Sequence, residues 1–222
     1  SANLDDFIRA HRDLLKADVV VISDSPMFDR GIPSICYGLR GLAYFQIDVR
    51  GSNSDLHSGS FGGALANPAL VLAQILAQMK DKGGRVKIPG FYDDVVEITE
   101  EERAAWKQLP FNEKQYRKDL GAPKLFGESG YSTLERVWAR PTFEVNGLLS
   151  GFTGEGAKTV LPAVAMAKVS MRLVPNQDPD KIAAQFEDYV KKVAPKTVDV
   201  TVTRMHGGRP WMTDYHNDYV QA

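Results

Sequence analysis

Cysteine is nearly missing from this chain: Cys36 is the only one in 222 residues, which excludes an internal disulfide framework. That usage fits a reducing compartment, and a cytoplasmic location is expected. Cys36 sits in Ser34-Ile-Cys-Tyr-Gly with no obvious base beside it, so it reads as a packed small hydrophobe rather than a nucleophile. Neither sign of charge is in excess. With 27 Lys and Arg against 28 Asp and Glu, the net charge of −1 leaves no electrostatic footprint for nucleic acid or an anionic membrane. No apolar run approaches the roughly 18–20 residues that span a bilayer. The opening Ser1-Ala-Asn-Leu-Asp-Asp carries neither the basic nor the apolar region of a secretory signal.

Complete catalytic signatures are absent too. There is no H-E-x-x-H, no paired C-x-x-C, no phosphate-cradling glycine loop and no G-x-S-x-G elbow. His11, His57, His206 and His216 fall in four different predicted elements. A self-contained metal site needs about three protein ligands and an open position, and this scatter does not suggest one. No nucleophile–base pair marks a serine or cysteine hydrolase.

What is present is an ordinary globular composition, 43% apolar and 25% charged, with room for one large domain or a medium one with attached segments. Residues 4–16 show loose helical spacing at Leu4, Phe7, Ile8, Leu14 and Leu15. The β-branched run Asp18-Val-Val-Val-Ile-Ser-Asp24 then predicts a strand buried on both faces of a parallel sheet. Residues 1–25 therefore read as the remnant of an α/β domain.

From Gly38 the pattern changes. Ala43, Phe45, Ile47 and Val49 alternate with Tyr44, Gln46, Asp48 and Arg50, as in a half-buried antiparallel strand. Asn67-Pro68 opens a helix through Leu72, Ile75, Leu76 and Met79, closed by Gly83-Gly84. Downstream, Ala165 to Arg172 alternates again. Asp178-Pro179 opens a second helix striped by Ile182, Phe186, Val190 and Val193, and Val198, Val200 and Val202 form a closing strand. Two strand–helix–strand halves predict an α+β, ferredoxin-like βαββαβ sandwich: a four-stranded antiparallel sheet with two helices on one face. This domain spans residues 26–208. It carries an insertion at about 85–140, with a capped helix start at Thr99–Glu102 and a short helix over Phe111–Gly121. Residues 209–222 lead out of it.

Four residues stand out as candidates. Asp24 ends the buried-type strand, where ligands of α/β sheets collect, yet it also suits a turn before Ser25-Pro26. His57, in the small polar loop Gly51-Ser-Asn-Ser-Asp-Leu-His57-Ser-Gly59, reads as a surface turn residue or as a neutral imidazole that donates to a developing oxyanion. Thr159, after Gly151-Phe-Thr-Gly-Glu-Gly156, reads as a strand-start residue or a ligand contact. Arg172 is a solvated strand charge or a planar fork for a carboxylate.

Six short segments in order tip this balance: Val21-Ile-Ser-Asp24, Cys36-Tyr-Gly-Leu-Arg-Gly41, Asp55-Leu-His-Ser-Gly59, Gly62-Gly63, Lys158-Thr-Val-Leu-Pro162 and Met171-Arg-Leu-Val-Pro175. They resemble the carnosinase-like dipeptidase branch of the dinuclear-zinc exopeptidases (peptidase family M20), relatives of the aminoacylases and glutamate carboxypeptidases. Trp138-Ala-Arg-Pro-Thr142 in the insertion fits as well. The resemblance implies a two-zinc catalytic domain interrupted by a ferredoxin-like lid and dimerisation domain. It implies Asp24 as a zinc ligand and His57 as the lid histidine that crosses a homodimer to polarise the scissile carbonyl. Thr159 would contact the dipeptide substrate, and Arg172 would hold its terminal carboxylate. The family's other zinc ligands, bridging aspartate and glutamate base are expected before residue 1, and a last histidine ligand after residue 222, so the 222 residues alone are expected to be inactive and free of zinc. His216, in the expected return toward the catalytic domain, is not promoted to a ligand. The alternative is a stand-alone, dimeric ferredoxin-like module that binds a small ligand. In the first reading Val19–Ile22, lacking its sheet neighbours, is expected to be displaced or paired with another copy.

Overall fold

In the computed structural model, which describes residues 3–222, the elements run in chain order as α1 (Leu4–Ala10), β1 (Gly38–Leu39), β2 (Gly41–Arg50), β3 (Leu56–His57), α2 (Ser58–Phe61), α3 (Pro68–Ala77), α4 (Glu100–Lys107), α5 (Glu113–Asp119), α6 (Thr133–Trp138), β4 (Thr142–Ser150), β5 (Val160–Leu161), β6 (Val164–Leu173), α7 (Pro179–Val193), β7 (Asp199–Gly208), β8 (Trp211–Met212) and α8 (Asp218–Gln221). They form two compact units, Gly38–Met212 and the residues up to Tyr37 together with Thr213–Ala222.

The larger unit is built on the sheet β4-β6-β2-β7, antiparallel throughout. In chain order its strands are second, third, first and fourth, the ferredoxin-like arrangement the sequence predicts. β2 buries its alternate residues Ala43, Phe45, Ile47 and Val49 almost completely. Ala165, Ala167, Val169 and Met171 of β6 do the same, and Leu72 and Ile75 of α3 and Ile182, Phe186 and Val190 of α7 close the same core. Both helices start as their sequences dictate. Asn67 Oδ1 accepts from Ala69 N at 2.9 Å, Asp178 Oδ1 from Asp180 N at 2.8 Å, and each cap is followed by a proline. The Asp180 N–H, opposed by some burial and aided by Arg209, holds the Asp178 carboxyl below the ordinary carboxylate range.

The strand β4 lacks a readable sequence pattern. Thr142-Phe-Glu-Val-Asn-Gly-Leu-Leu-Ser150 loses its alternation at a bulge between Val145 and Gly147, where the register against β6 slips. In the insertion, α4 and α5 form where the sequence predicts helices. α6 is an addition, although Ser132-Thr-Leu-Glu135 is itself a capping-box signature and the box is made. The box at Thr99 is also complete: Thr99 Oγ1 accepts from Glu102 N at 3.1 Å, and Glu102 Oε2 accepts from Thr99 N at 2.9 Å. Thr99→Ala is expected to weaken α4 by about 1 kcal/mol, read as roughly fivefold faster amide hydrogen exchange across residues 100–107 with β2 unchanged. Unchanged exchange in α4 contradicts that role.

In the smaller unit, Thr213 N donates to Tyr37 O at 2.8 Å, and the Tyr37 and Tyr215 rings lie 5.0 Å apart. Helix α1 stops at Ala10, short of the predicted residue 16. Two expectations fail here. Val19–Ile22 forms no strand, and those four side chains are 45%, 74%, 83% and 73% exposed. These residues pair with no described strand, so their β propensity is not realised in a ladder; displacement of this segment is one of the two outcomes expected for it. Cys36 is exposed rather than packed, because residues 33–37 run outside any helix or strand.

Candidate functional site

At the end of β2 the chain turns at Gly51 into the loop that carries His57. Three backbone contacts and one side chain fix it. Gly51 N donates to Ala163 O at 2.9 Å, and Ser58 N donates to Thr159 O at 2.9 Å. β3 pairs antiparallel with β5, Leu56 opposite Leu161 and His57 opposite Val160. Asp55 Oδ1 accepts from Ala163 N at 2.8 Å, tying the loop to the start of β6.

The imidazole is held at both nitrogens. Gly59 N donates to His57 Nδ1 at 3.0 Å. The neutral ring therefore carries its proton on Nε2, which lies 3.1 Å from Thr159 Oγ1. Glycine is required at 59, since a Cβ there would come within 2.9 Å of His57 Cε1. Both side chains are exposed to solvent. The arrangement is a surface hydrogen-bond donor with a fixed tautomer and a fixed ring plane, the attributes an oxyanion stabiliser needs. The contact unites residues 102 positions apart, and a strand-start threonine thereby becomes the partner of a loop histidine.

Arg172 is elsewhere. It stands on β6 opposite Leu42 of β2 and Thr142 of β4, at the far end of the sheet, with an exposed side chain. Arg172 stands eight positions along β6 from Val164, and the β3–β5 pair lies beyond Val164. At about 3.4 Å per residue that strand alone spans roughly 27 Å. Asp24 belongs to the smaller unit, in an exposed stretch without regular structure. The structure thus joins His57 to Thr159 and separates this pair from Arg172.

Among the described residues no group of three or more His, Cys, Asp or Glu is placed to hold a metal ion. One aspartate is too few donors, because affinity comes from several preoriented ligands. The residues present do not form a zinc centre by themselves, and no chemical step here is routed through one.

Comparison with known proteins gives this geometry its context. Residues 37–198 match the peptidase dimerisation domain of the M20 family. The Cys-Gly metallodipeptidase dug1 of Schizosaccharomyces pombe is 34% identical over 218 residues, covering 96% of this chain and 46% of its own length. The human Beta-Ala-His dipeptidase is 32% identical over 200 residues, covering 89% of this chain and 39% of its own. Among solved structures, an M20 family metallo-carboxypeptidase from Sulfolobus solfataricus superposes with a TM-score of 0.86 at 35% identity, over 99% of this chain and 56% of that one. Human carnosine dipeptidase 1 gives 0.83 at 30%, over 100% of this chain and 48% of that one. The chain spans about half the length of the curated relatives it matches.

Proposed function

The chain belongs to the M20 peptidase dimerisation-domain family, and from that premise we propose that it is the lid and dimerisation segment of a metal-dependent dipeptidase. The observation that carries this reading is the separation of two halves of a substrate grip. His57 and Thr159 form a fixed donor pair at one end of the sheet, and Arg172 a free fork at the other. A dipeptide is only about 7 Å long when extended, far less than the roughly 27 Å of β6 between the two groups. One copy cannot offer both to one substrate, whereas two copies related by a twofold axis can.

In the assembled enzyme His57 Nε2–H donates to the oxygen of the scissile carbonyl as negative charge develops there. Thr159 Oγ1, the acceptor of that N–H in the free chain, gives it up to the carbonyl oxygen and meets the substrate beside it. Arg172, of the other copy, takes the terminal carboxylate in a two-point hydrogen bond. Closure of this segment over the substrate excludes water and strengthens each contact. Zinc bound in the assembled enzyme would supply an activated water, and Asp24 would be one of the residues that hold it, together with ligands that these residues do not provide. The relatives named as Cys-Gly and Beta-Ala-His dipeptidases support a dipeptide as the substrate class. A cytoplasmic site of action is part of the proposal and rests on the single cysteine. No described helix is long and apolar enough to cross a membrane.

Sedimentation velocity of the 222-residue chain over a wide concentration range tests the assembly, and a dipeptide hydrolysis assay with added zinc tests the chemistry. A dimer without hydrolysis is expected. A strict monomer removes the interface from this reading, and robust zinc-dependent hydrolysis by the pure chain removes the claim that the segment is inactive alone.

A further inference from the structure

A second constellation, unrelated to His57, lies where the insertion meets the start of β4. There a cavity is lined by the cations Arg40, Lys80, Arg136 and Arg140 and by two carboxylates, Glu128 and Glu144. Both carboxylates are already engaged. Glu144 Oε1 accepts from Lys80 Nζ at 2.9 Å. Glu128 takes Arg140 through both oxygens, Nε at 2.8 Å and Nη2 at 2.9 Å, and also accepts from Arg85 Nη1 at 2.8 Å. Charge on the walls therefore remains uncompensated.

Three guanidinium groups keep N–H donors with no hydrogen-bonded carboxylate. Arg136 gives its Nε to the main-chain oxygen of Glu128 at 2.9 Å and pairs with no carboxylate. Among the described residues Arg40 has neither a hydrogen bond nor an ion pair through its side chain. Arg140 is only 2% exposed, yet its Nη1 is buried with no hydrogen-bond acceptor. The Glu97 carboxylate lies 4.0 Å from that nitrogen, beyond hydrogen-bond reach. A buried, unsatisfied guanidinium nitrogen carries a desolvation cost that a bound acceptor would remove.

The site is also rigid. The Arg140 guanidinium lies 4.3 Å from the centre of the Tyr131 ring and 5.2 Å from that of Tyr92. The Arg136 side chain lies across Gly127, where a Cβ would come within 2.6 Å of Arg136 Cδ. Gly84 and Gly127 approach so closely that a Cβ on Gly84 would stand 2.8 Å from the Gly127 carbonyl carbon. Burial first, and the charge of Arg172 second, hold Arg40 below its ordinary value, as for a cation with no counter-ion.

We propose that this cavity is a binding site for a small oxyanion, a phosphate or a carboxylate, held by Arg40 and Arg136 with Arg140 Nη1 as the buried third donor. An anion with several acceptor oxygens suits a cavity that Arg40, Arg136 and Arg140 line together. The inference needs no second copy and no metal, although the charge of Arg172 reaches Arg40.

The test uses the 222-residue chain, with inorganic phosphate and acetate titrated separately at constant ionic strength set with chloride. Calorimetry and thermal unfolding are the readouts. Saturable binding of at least one of the two is expected, and Arg40→Gln and Arg136→Gln should each weaken it about tenfold, the scale of one charged hydrogen bond. Both variants should melt normally in chloride alone, and Arg209→Gln, a surface change elsewhere, should leave binding unaltered. Phosphate binding without acetate binding identifies a phosphate site, and the reverse a carboxylate site. No saturable binding of either anion, or binding that survives both substitutions, overturns the proposal.

Discussion

Truncation of Phe186 to alanine is expected to lower the unfolding free energy by about 3–5 kcal/mol, the range for a large buried aromatic. Phe186 is fully buried on α7, and its ring lies 4.7 Å from that of Phe45 on β2 and 6.1 Å from that of Phe143 on β4. It is thus the point where one helix, the central strand and the edge strand meet. Removing it costs the transfer of the ring and leaves a cavity that three regular elements cannot easily collapse into. A domain of this size has about 5–15 kcal/mol in all, so the loss is a large share of its stability. Urea unfolding followed by fluorescence and far-ultraviolet circular dichroism measures it. Leu120→Ala, at a side chain 60% exposed beyond α5, is the control and should stay within about 0.5 kcal/mol. A loss below about 1 kcal/mol for Phe186→Ala would mean that the core does not converge on this ring.

The same ring shows why the core was legible before any coordinates. Phe186 falls on a 3.6-residue stripe with Ile182 and Val190, and Phe45 on a two-residue alternation, so each element announced its inner face. Strand β4 announced nothing, because a bulge at Val145–Gly147 resets the alternation halfway. Val19–Ile22 failed for the opposite reason. Its local signal for a buried strand was strong, but a strand needs a neighbouring edge, and that is a tertiary fact.

The candidate site divides along the same line. His57, Thr159 and Arg172 could each be singled out by residue type and by motif, but which of them meet is set by β3–β5 pairing across a long stretch of chain. Gly59 and Asp55 were part of the motif, and only the structure assigns them work: one makes room for the ring and the other anchors the loop. Arg40 and Arg140 lie in two of the matching segments, but nothing marked them, or Arg136, as lining one cavity. They come from the residue just before β2 and from the insertion, and nothing in their spacing indicates that they line one space.

In the full-length enzyme, His57→Ala is expected to lower kcat by about 10²–10³-fold with little change in KM, as for loss of one preoriented oxyanion donor. Arg172→Ala should instead raise KM, because the carboxylate it holds is present in the ground state as well as in the transition state. The decisive experiment combines the two. If His57 and Arg172 of different copies serve one site, mixing the His57→Ala and Arg172→Ala proteins under subunit exchange, assayed at substrate far below the raised KM where each alone is nearly silent, regenerates whole sites. Half of the dimers are then mixed and each carries one intact site of two, so about a quarter of wild-type activity returns. If both residues served a site within one copy, every site in every mixed dimer would lack one of them, and no activity would return. The roughly 27 Å of β6 between Arg172 and the His57 end of the sheet cannot be bridged by a substrate of two residues. Recovery is therefore the expected result, and its absence would mean that one of the two residues never touches the dipeptide.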